Sequence, residues 1–322
     1  MASEAPHCKV VLAKNIANGL LQEVHDGLKT LGRKPHLVGF LANSDPAARM
    51  YADWTEKTCH ENGFQYTRRD VDKEEIEEAI LAANADDDVD GIIVYYPIFN
   101  NRQDQYLQQI VDVSKDVEGL SHRYVFNMYQ NIRFLDEKVS ADGKSEGGTQ
   151  KSILPCTPLA IVKILEYLRV YNTILHYGNR LHGHTICVVN RSEVVGRPLA
   201  ALLANDGACV YSVDITGVQK FTRGEGLKKR RHEVEDLEGW TIKDAAPLCD
   251  VVITGVPGDS YKFDTSLLRN GAVCINFSSE KNFGPEVKEK ASIYVPSIGK
   301  VTIVVLLRNL LRIVQNRAAT KA

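Results

Sequence analysis

The sequence predicts an α/β protein with two domains, and three observations support this fold class. The chain has 322 residues, and chains longer than about 250–300 residues tend to divide into separate cores. Helical and strand-like segments alternate along it, as in proteins built on parallel or mostly parallel sheets. A polar, glycine-containing segment at 136–150 separates two such regions and indicates an exposed loop near a domain boundary.

Hydrophobic periodicity and stop signals place the elements of the first half. Apolar residues recur at helical spacing after Asn15. Asp45-Pro46 begins a second helix, and Gly63 ends it after about Asn62. We therefore predict helices over 15–31, 45–62 and 73–83, and strands over 36–42, 64–68 and 91–97.

Residues 185–214 carry the most informative pattern in the chain. An apolar strand at 185–189 leads into a tight turn at 190–198, a helix, and a second strand at 208–213 that ends on Asp214. This order sets a pyrophosphate on a helix N-terminus and an adenosine ribose against the acid. The turn lacks the full G-x-G-x-x-G, so an ordinary βαβ unit with a surface aspartate is the alternative interpretation.

The rest of the second half contains an insertion, two strands and a terminal helix. We predict that 216–239 is irregular and that its basic run 228–232 is a solvated loop, because acidic residues follow at once. A recognition patch or nuclear signal is the alternative for this run. Strands at 251–254 and 272–276 extend the second sheet. The helix 301–314 is too apolar to stay exposed, so it should pack back across the domain junction.

Composition argues against several classes of protein. The chain is 44% hydrophobic and 25% charged with a net charge of −2, which disfavours broad binding to nucleic acids or membrane surfaces. Seven cysteines without a CxxC pair favour reduced thiols over disulfides or a zinc site. No apolar run approaches the ~20 residues that span a bilayer, and the N-terminus shows neither a signal core nor a transit pattern. We expect a cytoplasmic enzyme, and no spacing of residues supports a metal site.

Six short segments in collinear order carry a resemblance to a known family. They are Tyr51, 90–97 (DGIIVYYP), 115–119 (KDVEG), 155–158 (PCTP), 191–198 (RSEVVGRP) and 295–302 (VPSIGKVT). Together they resemble the methylenetetrahydrofolate dehydrogenase/cyclohydrolase family over roughly residues 8 to 315. The PCTP and RSxxVGxP segments, at their usual separation, are the specific part of the match.

The resemblance implies a fold and a reaction. An N-terminal α/β domain at 1–155, completed by the C-terminal helix 301–322, would bind the folate and carry out catalysis. A Rossmann-type parallel-sheet domain at 156–300 would bind the cofactor. The implied reaction is oxidation of 5,10-methylenetetrahydrofolate to 5,10-methenyltetrahydrofolate, with the hydride passing to a nicotinamide. This step belongs to the one-carbon metabolism that serves purine biosynthesis, and similar members are usually homodimers.

Departures from the family pattern decide between its activities. Bifunctional relatives carry a lysine four residues after the tyrosine corresponding to Tyr51, and here that position is Thr55. Positions 51 and 55 share a helix face, whereas Lys57 lies about 240° around the helix. Tyr95 replaces the family's glutamine, and Glu118 replaces its aspartate. Because cyclohydrolase chemistry needs proton transfers that the lysine supports, the resemblance implies a dehydrogenase without cyclohydrolase activity.

The resemblance also assigns roles within the substrate site. Tyr51 is expected to stack on the folate, although an isolated helical tyrosine would more often be part of a core. Glu118 would keep its negative charge and hold the pterin amino group. Cys156 would line the cleft without acting as a nucleophile, the alternative being a small buried hydrophobe. The implied catalytic set is Tyr51, Thr55, Tyr95, Glu118 and Cys156.

The cofactor implied by the sequence is NAD. NADP-dependent relatives carry a neutral or basic residue where this chain has Asp214, and a carboxylate there would accept hydrogen bonds from the 2′-hydroxyl and repel a 2′-phosphate. Arg191 is expected to contact the pyrophosphate or ribose. Thr302 would either contact the nicotinamide amide or cap the last helix. The implied cofactor-binding set is Thr157, Asn190, Arg191, Ser192, Val194, Gly196, Asp214, Ile215, Gly255, Val256, Asn276 and Thr302.

Three other interpretations stay open at this stage. The chain could be a bifunctional dehydrogenase/cyclohydrolase. It could be a two-domain dehydrogenase of the shikimate or glutamate type, but that type predicts a Lys/Asp substrate pair that the first half does not show. It could also be a non-catalytic NAD-binding regulator that docks a partner through 228–232.

Overall fold

The structure, a computed structural model, describes residues 8–136 and 148–321. Most of the predicted loop 136–150 therefore lies outside the described residues. The chain forms two compact units. The eight-strand unit comprises Met1–Ile16, Met128–Asn131 and Thr157–Val301, and the three-strand unit comprises Ala17–Asn127, Ile132–Cys156 and Thr302–Ala322. The sequence-based domain limits 1–155, 156–300 and 301–322 stay a prediction.

Both units mix helices and strands, so the predicted α/β fold class is confirmed. In the described residues the strands are β1 (Lys9–Val10), β2 (His36–Leu41), β3 (Gln65–Asp70), β4 (Gly91–Val94), β5 (Thr185–Val189), β6 (Cys209–Asp214), β7 (Gly217–Thr222), β8 (Glu233–Leu237), β9 (Val251–Thr254), β10 (Val273–Asn276) and β11 (Ile293–Val295). The α-helices are α1 (Ala13–Leu31), α2 (Pro46–Glu61), α3 (Ile76–Ala85), α4 (Arg102–Ile110), α5 (His122–Tyr129), α6 (Cys156–Tyr167), α7 (Gly196–Asn205), α8 (Ile242–Ala245), α9 (Val287–Lys290) and α10 (Gly299–Lys321).

The helix that the sequence starts at Asp45-Pro46 forms as predicted. The Asp45 carboxylate accepts a hydrogen bond from the backbone N–H of Ala47 at 3.0 Å, and Pro46 occupies the first turn. The chain leaves α2 through Asn62 and through Gly63, whose φ is +84°. These two signals fix the ends of α2, the helix that carries Tyr51 and Thr55.

The three-strand unit has a parallel sheet in the order β3-β2-β4. One face of the sheet buries Phe40 and Ile92 against apolar side chains of α3 and α4, among them Ile80 and Leu107. The other face meets the C-terminal helix, because a Cβ on Gly91 would lie 2.7 Å from a methyl group of Leu310.

Polar contacts fasten α10 to the same unit. The Asn309 side chain donates to the carbonyls of Val117 at 2.9 Å and Leu154 at 3.0 Å. Arg317 donates to the carboxylate of Asp90 at 2.6 Å. The prediction that the apolar terminal helix packs back on the first domain is therefore confirmed.

The eight-strand unit has the strand order β1-β11-β10-β9-β5-β6-β7-β8. The strands from β1 to β6 in this order pair in parallel, whereas β7 and β8 pair antiparallel. The parallel strands bring the carboxyl ends of β5, β6, β9 and β10 to one edge, the edge at which open α/β sheets bind ligands. The addition of β1 to this sheet was not predicted from the sequence.

The prediction that 216–239 is irregular is wrong, because this insertion forms β7 and β8. Val218 and Phe221 of β7 are buried, but charged and polar neighbours hide the short alternation of apolar residues. Within the basic run, positions 228–231 are exposed as expected for a solvated loop. His232 is instead buried, with its ring stacked on Phe221 at 5.4 Å and its backbone N–H donating to the Asn205 side chain.

Candidate functional site

Three of the predicted substrate residues form an aromatic and hydroxyl cluster in the three-strand unit. Tyr51 lies on α2 and is half-buried, and its ring meets the ring of Tyr95 edge-on with centroids 6.0 Å apart. Thr55, one helical turn after Tyr51, is fully buried and donates its hydroxyl to the Tyr51 carbonyl at 2.9 Å. The Tyr95 hydroxyl lies close to the Thr55 side chain, which offsets part of the rise in the Tyr95 pKa.

The hydroxyl groups of this cluster stay neutral. Burial raises the pKa of Tyr51 well above its ordinary value, and the neighbouring Cys156 and Glu118 raise it further. Burial likewise raises the pKa of Tyr95. Phenolate forms are therefore not accessible near neutral pH, so these tyrosines act through hydrogen bonds and ring surfaces.

Neither of two nearby lysines supplies an ammonium group to the cluster. Lys57 is exposed and pairs with Glu61 at 3.8 Å, in agreement with its predicted outward direction. Lys115 is buried, and its Nζ donates to the carbonyls of Ala83, Asn84 and Asp86. Lys115 thus serves the C-terminal end of α3.

Glu118 approaches the cluster from the segment after β4. Its carboxylate accepts a hydrogen bond from the backbone N–H of Val94 at 3.1 Å. Burial raises the pKa of Glu118 to about 8, and nearby Asp116 adds to the rise. Burial therefore disfavours the ionised carboxylate, which runs against the expectation that Glu118 keeps its negative charge.

The turn that carries Glu118 depends on Asp116 and Gly119. The Asp116 carboxylate accepts hydrogen bonds from the backbone N–H groups of Gly119 at 2.9 Å and Ser121 at 2.7 Å. Gly119 has a φ of +72°, and a Cβ there would lie 2.7 Å from the backbone of Leu154. Glycine is therefore required for the KDVEG turn to touch the segment that leads into PCTP.

Cys156 joins the cluster as a neutral thiol. Its Sγ–H donates to the carbonyl of Val117 at 3.2 Å, and its backbone N–H donates to the carbonyl of Glu118 at 3.1 Å. Burial raises the pKa of Cys156 well above its ordinary value. A thiol that stays protonated is a poor nucleophile, which favours the contact role over covalent chemistry.

Three residues of this site were missed from the sequence. Asn43 donates to the carbonyls of Tyr95 at 2.8 Å and Pro97 at 2.9 Å, and so fixes the segment after β4. The sequence feature that could have revealed Asn43 is a polar side chain just after a buried strand. The Tyr96 hydroxyl is buried near Glu118 and has no hydrogen-bond partner among the described residues. Tyr66 hydrogen-bonds to Tyr95, and no sequence signal marks it.

In the eight-strand unit, the turn after β5 brings backbone segments into unusually close contact. Asn190 has a φ of +85°, and its side chain donates to the carbonyl of Gly255 at 2.7 Å. A Cβ on Gly196 would lie only 1.7 Å from the carbonyl oxygen of Asn190. Ser192 Oγ accepts from the backbone N–H groups of Val195 and Gly196 at the start of α7. This geometry is typical of a turn that holds a phosphate at a helix N-terminus.

Asp214 lies at the carboxyl end of β6, beside this turn. Its carboxylate accepts from the backbone N–H groups of Arg191 at 2.6 Å and Ile215 at 2.8 Å. The Arg191 guanidinium donates to Gly217 O at 2.8 Å and to Thr216 Oγ1 at 3.3 Å, so it is tied to the turn between β6 and β7. The side chains of Val194 and Ile215 are exposed.

The ends of β9 and β10 carry further polar groups. Asn276 donates to the carbonyls of Ser278, Glu280 and Pro296, while its own Oδ1 is buried without a partner among the described residues. Thr254 Oγ1 is likewise buried without a partner among the described residues, and Thr254 lies opposite Asn276 in the pairing of β9 with β10. Gly255 and Val256 follow β9, and the Val256 N–H donates to Asn282, a residue missed from the sequence.

These features fit a dinucleotide. The glycine at position 196 lets the turn approach the start of α7 closely, and the Asp214 carboxylate retains acceptor capacity for ribose hydroxyls. The exposed apolar side chain of Ile215 beside it suits the face of a base.

The two remaining predicted cofactor residues lie on helices. Thr157 lies in the first turn of α6. Thr302 belongs to the three-strand unit and lies inside α10, which begins at Gly299, so the alternative that it caps this helix is wrong. Across the described residues no cluster of three or more histidine, cysteine or acidic side chains could hold a metal. Within the same ranges no helix has the length and apolar character needed to cross a membrane.

Two sequence models of known domains match the chain. The catalytic domain of tetrahydrofolate dehydrogenase/cyclohydrolase matches residues 10–118. The NAD(P)-binding domain of tetrahydrofolate dehydrogenase/cyclohydrolase matches residues 155–224.

Relatives and solved structures with high identity cover almost the whole chain. The methylenetetrahydrofolate dehydrogenase (NAD+) of Schizosaccharomyces pombe is 60% identical over 313 residues, which cover 97% of this chain and 95% of that protein. The Saccharomyces cerevisiae protein of the same name is 55% identical over 322 residues, with 97% and 98% covered. The structure of the NAD-dependent 5,10-methylenetetrahydrofolate dehydrogenase from Saccharomyces cerevisiae matches with a TM-score of 0.90 at 54% identity and covers 98% of this chain and 100% of that chain.

The turn geometry predicts a large effect of one methyl group at position 196. Gly196→Ala should destabilise the protein by about 1–3 kcal/mol, because the new Cβ overlaps the Asn190 carbonyl and the backbone must shift. The measurement is urea-induced unfolding. Gly19→Ala in α1 is the matched control, since its Cβ meets nothing within 4 Å and alanine favours helix. Equal stability of both variants would show that the turn does not depend on this contact.

Proposed function

Because this chain belongs to the tetrahydrofolate dehydrogenase/cyclohydrolase family, we propose that it oxidises 5,10-methylenetetrahydrofolate to 5,10-methenyltetrahydrofolate with NAD as hydride acceptor. The relatives that are 55–60% identical carry the name of this NAD-dependent activity, which supports the assignment. The single observation in the structure that carries the choice of cofactor is the position of Asp214 at the end of β6, held by the backbone of Arg191.

Asp214 selects the cofactor through charge. A 2′-phosphate of NADP would lie against the carboxylate, and juxtaposed like charges cost several kcal/mol. The Arg191 guanidinium is held on Gly217 and Thr216 and forms no ion pair with Asp214, so it does not neutralise this carboxylate. The 2′-hydroxyl of NAD can instead donate to the same carboxylate.

The residues of the three-strand unit hold and orient the folate. The half-buried face of Tyr51, supported edge-on by Tyr95, provides an aromatic surface on which a pterin or aminobenzoyl ring can stack. Glu118 lies next to Tyr51 and can accept hydrogen bonds from the pterin amino and amide N–H groups once it is ionised. Bound NAD supplies the nicotinamide ring that accepts the hydride. The chemistry left to the protein is alignment, since the folate nitrogen lone pair expels the hydride.

We propose that this enzyme lacks cyclohydrolase activity. Hydration of the methenyl carbon requires proton transfer at the reacting atoms. Thr55 stands where bifunctional relatives carry the lysine, and its hydroxyl is already donated to the Tyr51 carbonyl inside the protein. A neutral hydroxyl committed in this way cannot replace an ammonium group as a proton donor.

The bifunctional and regulatory alternatives differ from this proposal in what they require of the chain. A bifunctional enzyme would need Tyr51 or a water molecule to take over the role of the lysine, and the raised pKa of Tyr51 opposes this. A non-catalytic regulator would bind NAD and fail to reduce it with the folate substrate.

We further propose that the enzyme is a homodimer and that it acts in one-carbon metabolism in the cytoplasm. Size-exclusion chromatography tests the oligomeric state, and imaging of a tagged chain tests the localisation.

The cofactor assignment is tested by following reduction of NAD and NADP with 5,10-methylenetetrahydrofolate. Wild type should prefer NAD, and Asp214→Ser should move the ratio of kcat/KM values toward NADP by about 10- to 100-fold, because the repulsion of the phosphate is removed. Asp87→Ser, which removes an exposed carboxylate in the three-strand unit, should leave the ratio unchanged. An unaltered NAD preference in Asp214→Ser would contradict the account of cofactor choice. Wild type that binds NAD without turnover would favour the regulator.

The raised pKa of Glu118 predicts a pH dependence of folate use. A carboxyl whose pKa is about 8 is mostly protonated at pH 7 and becomes an acceptor as the pH rises. The kcat/KM for the folate should therefore rise with pH through a midpoint near 8 and level off about one pH unit above it, and Glu118→Gln should abolish this step while lowering the plateau. The profile is measured between pH 6 and 9.5 at saturating NAD. A step that persists in Glu118→Gln would assign it to another group.

A further inference from the structure

Two buried phenols meet across a strand in the three-strand unit. The hydroxyls of Tyr66 and Tyr95 are 2.9 Å apart, and both side chains are buried. Tyr66 lies on β3, and Tyr95 directly follows β4, while β2 separates these two strands in the sheet. Because neighbouring strands are about 4.8 Å apart, a contact between the outer strands has to pass over β2.

Gly39 provides the space for this contact. It lies on β2, and a Cβ at this position would be 2.4 Å from the Tyr66 hydroxyl oxygen. Any other residue at position 39 would push the Tyr66 hydroxyl away. Gly39, Tyr66 and Tyr95 therefore form one packing arrangement.

We propose that Tyr66 is a positioning residue for the folate, acting through Tyr95 on the ring of Tyr51. This inference rests on the proposed function of the same site. Tyr66 hydrogen-bonds to the Tyr95 hydroxyl, and the Tyr95 ring that is held in this way supports Tyr51 edge-on. Without the Tyr66 hydroxyl, the Tyr95 ring loses the hydrogen bond that anchors its hydroxyl, and the stacking surface on Tyr51 becomes less well fixed.

The chemistry of the two phenols keeps the contact constant over the working pH range. Burial raises the pKa of both Tyr66 and Tyr95. Both therefore remain O–H groups, and one of them donates a hydrogen bond to the other. Because Tyr66 is buried and its hydroxyl contacts Tyr95, its effect on the folate should act through Tyr95 and be seen mainly as weaker folate binding.

The test compares Tyr66→Phe with Tyr124→Phe. Tyr124 is another buried phenol of the three-strand unit, and its hydroxyl donates to the Val113 carbonyl at 2.9 Å. Both variants lose one buried hydrogen bond, and both should melt at a slightly lower temperature. Only Tyr66→Phe should raise the folate KM, by about fivefold from the loss of one hydrogen bond, with kcat and the NAD KM changed less than about twofold. An unchanged folate KM in Tyr66→Phe, or an equal rise in Tyr124→Phe, would overturn the proposal.

Binding of tetrahydrofolate, followed by quenching of protein fluorescence, separates this inference from the proposed reaction. Loss of affinity in Tyr66→Phe supports the positioning role whether or not the enzyme turns over, whereas absence of turnover in wild type counts against the reaction alone. Unchanged affinity contradicts the positioning role.

Gly39→Ala is the second variant, because it displaces the Tyr66 hydroxyl while keeping both phenols. It should also weaken tetrahydrofolate binding, and adding Tyr66→Phe should cause little further loss. Fully additive losses would show that the two residues act separately and would reject the arrangement.

Discussion

The buried, neutral side chain of Thr55 is the constraint on which the substrate site depends. Thr55 donates its hydroxyl to the Tyr51 carbonyl one turn earlier in α2, and the nearby Tyr95 hydroxyl is hydrogen-bonded to Tyr66. Both hydrogen bonds lie inside the three-strand unit and involve only neutral groups. The site therefore supports aromatic rings and fixes their edges, and it has no cation at the position where hydration would need one. A buried polar network of this kind is stable only because its members satisfy one another.

The eight-strand unit follows a different physical rule, which is close approach of backbone segments. Gly196 lets the start of α7 touch the Asn190 carbonyl, and the Arg191 backbone is held on Asp214. A carboxylate placed by backbone hydrogen bonds needs no neighbouring cation, so its charge is available to discriminate between a hydroxyl and a phosphate. The proposed selectivity for NAD would follow from the way in which the turn is built.

Those parts of the fold that depend on a local periodic pattern or on a turn residue were predictable from the sequence. The start of α2 at Asp45-Pro46 and the packing of the apolar α10 are examples. Other features depend on tertiary contacts that no local pattern contains. The insertion 216–239 was predicted as irregular because charges mask the burial of Val218 and Phe221. The rise in the Glu118 pKa could not be predicted either, because desolvation depends on the folded surroundings. Tyr66 was missed because its partner lies 29 positions away in the chain.

The central claim is that a neutral hydroxyl at position 55 leaves this enzyme without cyclohydrolase activity. The most direct test is to follow the decay of 5,10-methenyltetrahydrofolate, without NAD, in the presence of the purified protein. The account predicts the same rate as in buffer at every protein concentration, alongside full dehydrogenase activity of the same preparation. A decay rate that rises in proportion to the protein would contradict it.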